Sequence, residues 1–165
     1  MNKIFSFSAF LTILFLGMVA GCDTQQQSTA DNKSRVELGN DNNEATFGDY
    51  IVHVNVLTTD QLPANVASEY RITRSKSRAM LNVVVAKMVN GVRTPVKASV
   101  NTLTRNLANQ IKNMDMREIV EQDAIYYIGE VPVDHQEILV FNIDVTPENE
   151  SGEFNLAYKE QFFTQ

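Results

Sequence analysis

One cysteine, two histidines and a single basic cluster are the residues through which this chain could do chemistry. Cys22 carries the only thiol, and it follows Val19, Ala20 and Gly21 at the end of an apolar run. His53 and His135 are far apart in sequence, and no second cysteine is present to help complete a four-ligand zinc site. No catalytic or metal role is read for either histidine, and no cofactor is expected. Asp144, Glu148, Glu150 and Glu153 could offer oxygen ligands to calcium, but they lack the alternating spacing and glycine of an EF-hand loop. A solvated acidic hairpin tip is the reading they support. Arg71, Arg74, Lys76 and Arg78, interleaved with Thr73, Ser75 and Ser77, form the one basic concentration in the chain. They are the candidate partner-binding residues, where an anionic or carboxylate-bearing group would be steered. The plainer alternative is a solvated charged loop.

The residues ahead of Cys22 set the compartment. Asn2-Lys3 opens a short basic region, and the run from Ile4 to Val19 is broken only by Ser6, Ser8, Thr12 and Gly17. This is the pattern of a signal-peptide core. A spanning helix needs about 20 apolar residues, whereas here the run meets Ala20-Gly21-Cys22 and then the polar Asp23-Thr24-Gln25. Val19-Ala20-Gly21-Cys22 resembles the lipobox of bacterial lipoproteins. That resemblance implies cleavage after residue 21, a diacylglycerol on the Cys22 thiol and three acyl chains in all, enough for a stable anchor where one chain is not. It also accounts for a lone thiol in an oxidising compartment. Asp23 resembles the signal that retains lipoproteins in the inner membrane of enteric bacteria. The expected location is therefore the periplasmic face of a membrane, the inner membrane before the outer.

Charge narrows the partners. The chain has 14 Lys and Arg against 20 Asp and Glu, and removing residues 1–21 takes away Lys3 alone among charged residues, leaving 13 against 20 and a formal charge of −7. Nucleic acid is excluded as an expected partner. Beyond the lipidated Cys22, residues 22–46 hold almost nothing apolar except Val36 and Leu38 and read as a flexible tether, with a span of about 25 to 30 Å. Residues 47–165 then make a single domain.

The elements that must position any site are strands. Tyr50, Val52, Val54 and Val56 alternate with Asp49, His53 and Asn55. Asp60 to Tyr70, with Pro63 early and Leu62, Val66 and Tyr70 four apart, suits one or two helical turns. Leu81 to Val89 is apolar on both faces, as a central strand is, and runs into Asn90-Gly91, a hairpin signal. Val92 to Val100 alternates with Pro95 implying an edge or bulge. Further strands are expected at Met114 to Val120, Ala124 to Ile128, Ile138 to Val145 and Phe154 to Phe163. Residues 101–113, with Leu103, Leu107 and Ile111 four apart, admit either strand or helix. The sum is an all-β, antiparallel, immunoglobulin-like sandwich of about seven strands, with a small barrel as the alternative. It has no disulfide, since Cys22 is the only cysteine.

Phe47-Gly48-Asp49-Tyr50-Ile51-Val52-His53, Tyr70-Arg71-Ile72-Thr73-Arg74-Ser75-Lys76, Leu81-Asn82-Val83, and Arg117-Glu118 followed by Asp123-Ala124-Ile125-Tyr126-Tyr127 together resemble domain of unknown function 4426, a family of small exported proteins of gammaproteobacteria. The resemblance implies an all-β extracytoplasmic domain and carries over no activity, catalytic residue or cofactor.

Two functions of different class fit. One is a non-catalytic binding or assembly module for another envelope protein, held to the membrane through Cys22. The other is an envelope hydrolase built from carboxylates, Ser or Thr and one histidine, for which no motif is present. The first is the expectation; nothing in the residues sets an oligomeric state. Cys22→Ser is expected to abolish incorporation of a fatty-acid analogue and release the protein from membrane pellets. A Cys22→Ser chain that is still labelled and pelleted would overturn the lipoprotein reading.

Overall fold

The computed structural model describes residues 34–165, whose strands build two β-sheets; along the long strands β3, β4 and β10 buried and accessible side chains alternate. In chain order the elements are β1 (Val36–Leu38), β2 (Glu44–Phe47), β3 (Tyr50–Thr58), a 3-10 turn (Thr59–Gln61), α1 (Ala64–Glu69), β4 (Arg78–Val89), β5 (Val92–Pro95), β6 (Ala98–Asn106), β7 (Ile111–Lys112), β8 (Arg117–Val120), β9 (Ile125–Pro132), β10 (Ile138–Pro147) and β11 (Phe154–Gln161). One sheet has the order β2-β3-β4-β9-β8, with β5 also paired to β4; the other has the order β1-β11-β10-β6-β7. Pairing is antiparallel except for β1, which runs parallel to β11. Taken along the chain, β3, β4, β6, β8, β9, β10 and β11 fill the seven positions A to G of an immunoglobulin-like sandwich. The β3-β4-β9-β8 order is the A-B-E-D sheet, and β6-β10-β11 is the C-F-G sheet. The remaining four strands are additions to that frame.

Strand β4 is central, as its two apolar faces require: β3 pairs along one side, and β9 followed by β5 along the other. Asn90 and Gly91 have φ of 52° and 80°, the two positive values that a two-residue primed turn needs. Pro95 marks an edge, since β5 pairs with β4 alone among the described residues. It ends β5, and the chain crosses to the opposite sheet to begin β6, so the alternation over 92–100 is split between two strands. Residues 101–113 hold strands β6 and β7 and no helix. Pairing with β10 from Ala98 to Asn106 satisfies the backbone of β6, and that outweighs the helical spacing of Leu103, Leu107 and Ile111, which end up 39%, 64% and 59% exposed.

The core lies between the sheets. Val52, Val54, Leu81, Val83 and Val85 from one sheet meet Leu139, Phe141, Ile143, Val145 and Leu156 from the other, all fully buried. The chain has no Trp and one Cys, so this aliphatic and Phe packing takes the place of the Trp and inter-sheet disulfide of antibody domains. Met114 and Met116 lie directly over Gly129 of β9, where a methyl group would come within 2.6 Å of Met114 Cγ.

The folded part extends further toward the N-terminus than the composition suggests. Residues 34–46, read as tether, include β1, which pairs with Leu156–Tyr158, and β2, which pairs with β3. Leu38 and Ala45 are buried at 5% and 6% exposure, and Phe47 stacks on Phe154 at 4.5 Å. Sparse apolar residues suffice here because each sheet edge supplies the backbone partners that a free tether would lack.

Polar clasps complete the frame. Lys112 Nζ donates to the Pro132 carbonyl at 3.1 Å and to Glu137 at 2.5 Å, fastening β7 to the connection between β9 and β10. Burial alone would raise the Glu137 pKa, but hydrogen bonds from Lys112, the Asp134 backbone and Asn106 together hold it below the usual carboxylate value. Burial pushes Glu160 the other way, partly offset by Asn40.

Two outcomes follow for stability. A chain beginning at Phe47 is expected to be less stable than one beginning at Ser34 by at least about 2 kcal/mol in denaturant melts, because the Leu38 site empties; equal stability would return residues 34–46 to the tether. Glu137, with its folded pKa depressed, stabilises the fold above its unfolded pKa of about 4.3 and loses that contribution as acid protonates it. Glu137→Gln should therefore lower the melting temperature at pH 7 and cease to matter near pH 2. Glu160, with its folded pKa raised, opposes folding when ionised, so Glu160→Gln should raise the melting temperature at pH 7 and have no effect in acid.

Candidate functional site

The outer face of the A-B-E-D sheet is not left to solvent. Cross-strand register sets three rows on it: Leu57, Met80 and Glu130; then Asn55, Asn82, Ile128 and Arg117; then His53, Val84, Tyr126 and Ile119. The segment from the 3-10 turn through α1 roofs these rows. Leu62, Ala67 and Ile72 of the roof join Met80 and Ile128 in a second apolar cluster, with Leu57, Tyr70, Ile119 and Tyr126 packed against it.

Local chemistry explains why the roof holds its shape. Pro63 caps α1 and fixes its entry with φ of −54°. The helix ends in a Schellman motif: Ile72 N–H donates to the Ala67 carbonyl at 2.7 Å, and Arg71 N–H to the Ser68 carbonyl at 3.2 Å. Arg71 stands at φ of 56°, the left-handed position that glycine usually takes. The fully buried Thr59 hydroxyl lies 2.8 Å from the Thr73 carbonyl and accepts from Ser75 N–H at 2.9 Å, stitching the returning loop to the 3-10 turn. On the β8 side, Arg117 donates to the Tyr70 carbonyl at 2.5 Å, and the Tyr70 hydroxyl donates to Glu121. That bond to Glu121 pushes the Tyr70 pKa up to about 12, so the phenol keeps its proton.

Roof and floor do not meet everywhere. A half-enclosed cleft of about 270 Å³ remains between them, with Asn55, Leu57, Met80, Asn82, Ile119, Tyr126 and Ile128 below and Leu62, Val66, Tyr70 and Ile72 above. None of these side chains is charged. The cleft can hold a neutral apolar group and offers two side-chain amides, cross-strand neighbours on its floor, to orient it.

The four basic residues lie along the chain from the end of the roof to the start of β4. Arg74 donates to the Asp60 carbonyl at 2.6 Å, and Arg78 pairs with Glu130 at 3.8 Å, so both serve the roof and the sheet. Arg71 and Lys76 are exposed, and neither side chain has an ion pair or hydrogen bond among the described residues. Glu118 pairs with Lys97 rather than with this cluster. Cys22 lies outside the described residues. His53 Nδ1 sits 4.0 Å from Glu44, and His135 packs edge-on to Phe163; neither ring hydrogen-bonds a hydroxyl among the described residues. Three of the four acidic residues around the last hairpin are partnered, Asp144 with Arg35 at 2.6 Å, Glu150 with the Tyr50 hydroxyl at 2.6 Å and Glu153 with Asn155 at 2.9 Å, while Glu148 is exposed.

Nothing in the sequence pattern marks Asn55, Asn82, Tyr70 and Tyr126 as members of one site. The available signal is indirect: a strand apolar on both faces must be covered on both, and the helical segment before β4 is the cover.

Comparison with known proteins places the fold. No curated protein matches the chain. The crystal structure of a DUF4426 family protein from Pseudomonas aeruginosa PAO1 is similar at 30% identity and a TM-score of 0.64, over 74% of this chain and 94% of that one. A family 123 glycoside hydrolase from Clostridium perfringens, known for glycolipid glycan hydrolysis, aligns at 8% identity and a TM-score of 0.37 over 69% of this chain and 27% of that one. At that level the alignment bears on nothing further. The model of the domain of unknown function DUF4426 matches residues 44–165, from the start of β2 to the last residue. By sequence over that span and by structure, the chain belongs to the DUF4426 family.

Proposed function

We propose that this protein is a lipid-anchored envelope lipoprotein whose domain is a non-catalytic binding module, with the roofed cleft as its recognition site. The observation that carries the reading is the cleft itself. The domain builds a second apolar cluster outside its main core, roofs it with a segment tied down at both ends, and still leaves space beside two amides. A concave, largely apolar lining with a few polar groups is the setting in which small molecules bind. The anchor is supported by the apolar run and by Val19-Ala20-Gly21-Cys22. Chemistry on a substrate is not favoured, because neither histidine stands beside a nucleophile among the described residues. Arg71 and Lys76, uncommitted within the fold, are the basic residues left to steer an envelope partner toward the roof.

Val66→Phe fills the cleft from its roof without touching the core between the sheets, and is expected to leave the melt of the main transition unchanged while removing the species that crosslink to the domain in intact cells. Retention of the same crosslinked species would set the cleft aside as the recognition site. Arg71→Gly relieves the left-handed conformation and should raise stability by roughly 0.5 to 1 kcal/mol. Weakened crosslinking in that more stable variant would mark Arg71 as a residue kept for contact rather than for folding.

A further inference from the structure

We infer that the roofed cleft takes a single acyl chain of on the order of ten carbons, laid across the sheet beneath the roof with its polar head left in water. This rests on the reading of the cleft as a binding site and names the class of its ligand.

Shape carries the first step. The floor draws on four neighbouring strands, from Leu57 of β3 through Met80 of β4 and Ile128 of β9 to Ile119 of β8. Three inter-strand spacings of about 4.8 Å make that a path of about 14 Å. A dry cavity of about 150 Å³ encloses the six carbons of benzene, so a cleft of about 270 Å³ holds roughly ten. Spread over such a path, ten carbons form a line rather than a disc. A compact ring would fill one part of the cleft and leave the apolar walls on either side of it wet.

The lining carries the second step. Its accessible part includes the half-buried Leu57, Val66, Ile119 and Tyr126, and none of the lining side chains is charged. Each methylene moved from water onto that surface gains about fourfold in affinity. A charged head drawn in after the chain would give up its hydration uncompensated, so the head stays outside. Supply follows from the anchor proposed above. Twelve residues lead from Cys22 to Ser34, a reach of at most about 40 Å, which keeps the domain beside a bilayer whose acyl chains are the apolar molecules at hand.

The probes are n-alkyl maltosides, which share one neutral head and differ only in chain length, each kept below the concentration at which it forms micelles. The full-length Cys22→Ser chain lacks the acceptor for a lipid of its own, and ¹³C on the methyl groups of its six methionines gives the readout. Met80 lines the cleft, Met88 lies eight residues further along the same strand, and Met114 and Met116 pack against the main core. Hexyl, octyl and decyl maltoside are expected to shift Met80 alone among these four, saturably, with affinity rising about fourfold per methylene and then flattening, so that dodecyl gains less than about twofold over decyl. Val66→Phe, which takes up room in the cleft, should weaken decyl maltoside at least about tenfold, the equivalent of two methylenes. If that variant does not fold, the length series in the unfilled cleft decides alone. A gain that stops at hexyl, a gain that continues undiminished to dodecyl together with a shift at Met88, or an unchanged decyl affinity in folded Val66→Phe would overturn the acyl chain. A Met80 shift with indole and none with decyl maltoside would overturn it too, while leaving the cleft as a site for a compact ligand. If neither indole nor decyl maltoside moves Met80 at millimolar concentration, the cleft reading fails and this inference with it.

Discussion

Burial of β4 on both faces is the constraint from which the rest of the domain follows. A strand with Ala79, Leu81, Val83 and Val85 on one side needs an opposing sheet, and β10 and β11 supply it with Phe141, Ile143 and Leu156. The same strand carries Met80 and Val84 on its other side, and an antiparallel sheet that left them to water would expose an apolar patch. The chain answers by running from β3 through a 3-10 turn and six helical residues across the sheet before β4 begins. The cleft is a by-product of that order. The roof is short, it is fixed at Thr59 on one end and at Tyr70 on the other, and it cannot sag onto every residue beneath it.

Lacking a disulfide, the domain distributes its inter-element fastening over polar contacts set at the ends of strands. The Tyr127 hydroxyl accepts from Ala98 N–H at 2.7 Å and lies 3.1 Å from Glu118, reaching from β9 to the first residue of β6 in the other sheet. Burial chiefly, with Glu118 assisting, pushes its pKa up to about 12, so this contact persists over any physiological pH. Arg93 grips Glu44 with two bonds of 2.8 and 2.9 Å and fixes β5 relative to β2. Exposed ion pairs of that kind contribute little singly, and their value here is in setting positions rather than in adding stability.

Much of the frame is legible in the residues because β-branched alternation and turn chemistry act locally. Tyr50 to Val56 and Ile138 to Val145 point their side chains as period two requires, and Asn90-Gly91 turns where its φ angles allow. What is not legible depends on distant partners. Val36 to Leu38 becomes a strand only because Leu156 to Tyr158 offers an open edge, and nothing within residues 34–46 announces that edge. Leu103, Leu107 and Ile111 keep helical spacing in a segment that β10 claims. The basic loop is visible as charge, but the division of Arg74 and Arg78 into internal contacts, leaving Arg71 and Lys76 outside, depends on where Asp60 and Glu130 come to lie. Asn82 is visible as a polar interruption in an apolar run, and its meaning needs the roof.

The parallel strand β1 has a mechanical consequence. Among the described residues it is the first paired element along the chain, three residues long, with Arg35 just ahead of it held to Asp144. Tension entering along the backbone from the N-terminal side reaches that ion pair and then the ladder to β11 before any other part of the fold. The ladder is three residues long, and its parting would withdraw Leu38 from the interior and bare the backbone of Leu156 to Tyr158. The sandwich itself, closed by the long β10 ladders on either side, would still stand. A domain stretched from that side would therefore part first at β1, offering a fresh strand edge while the core between the sheets stays closed.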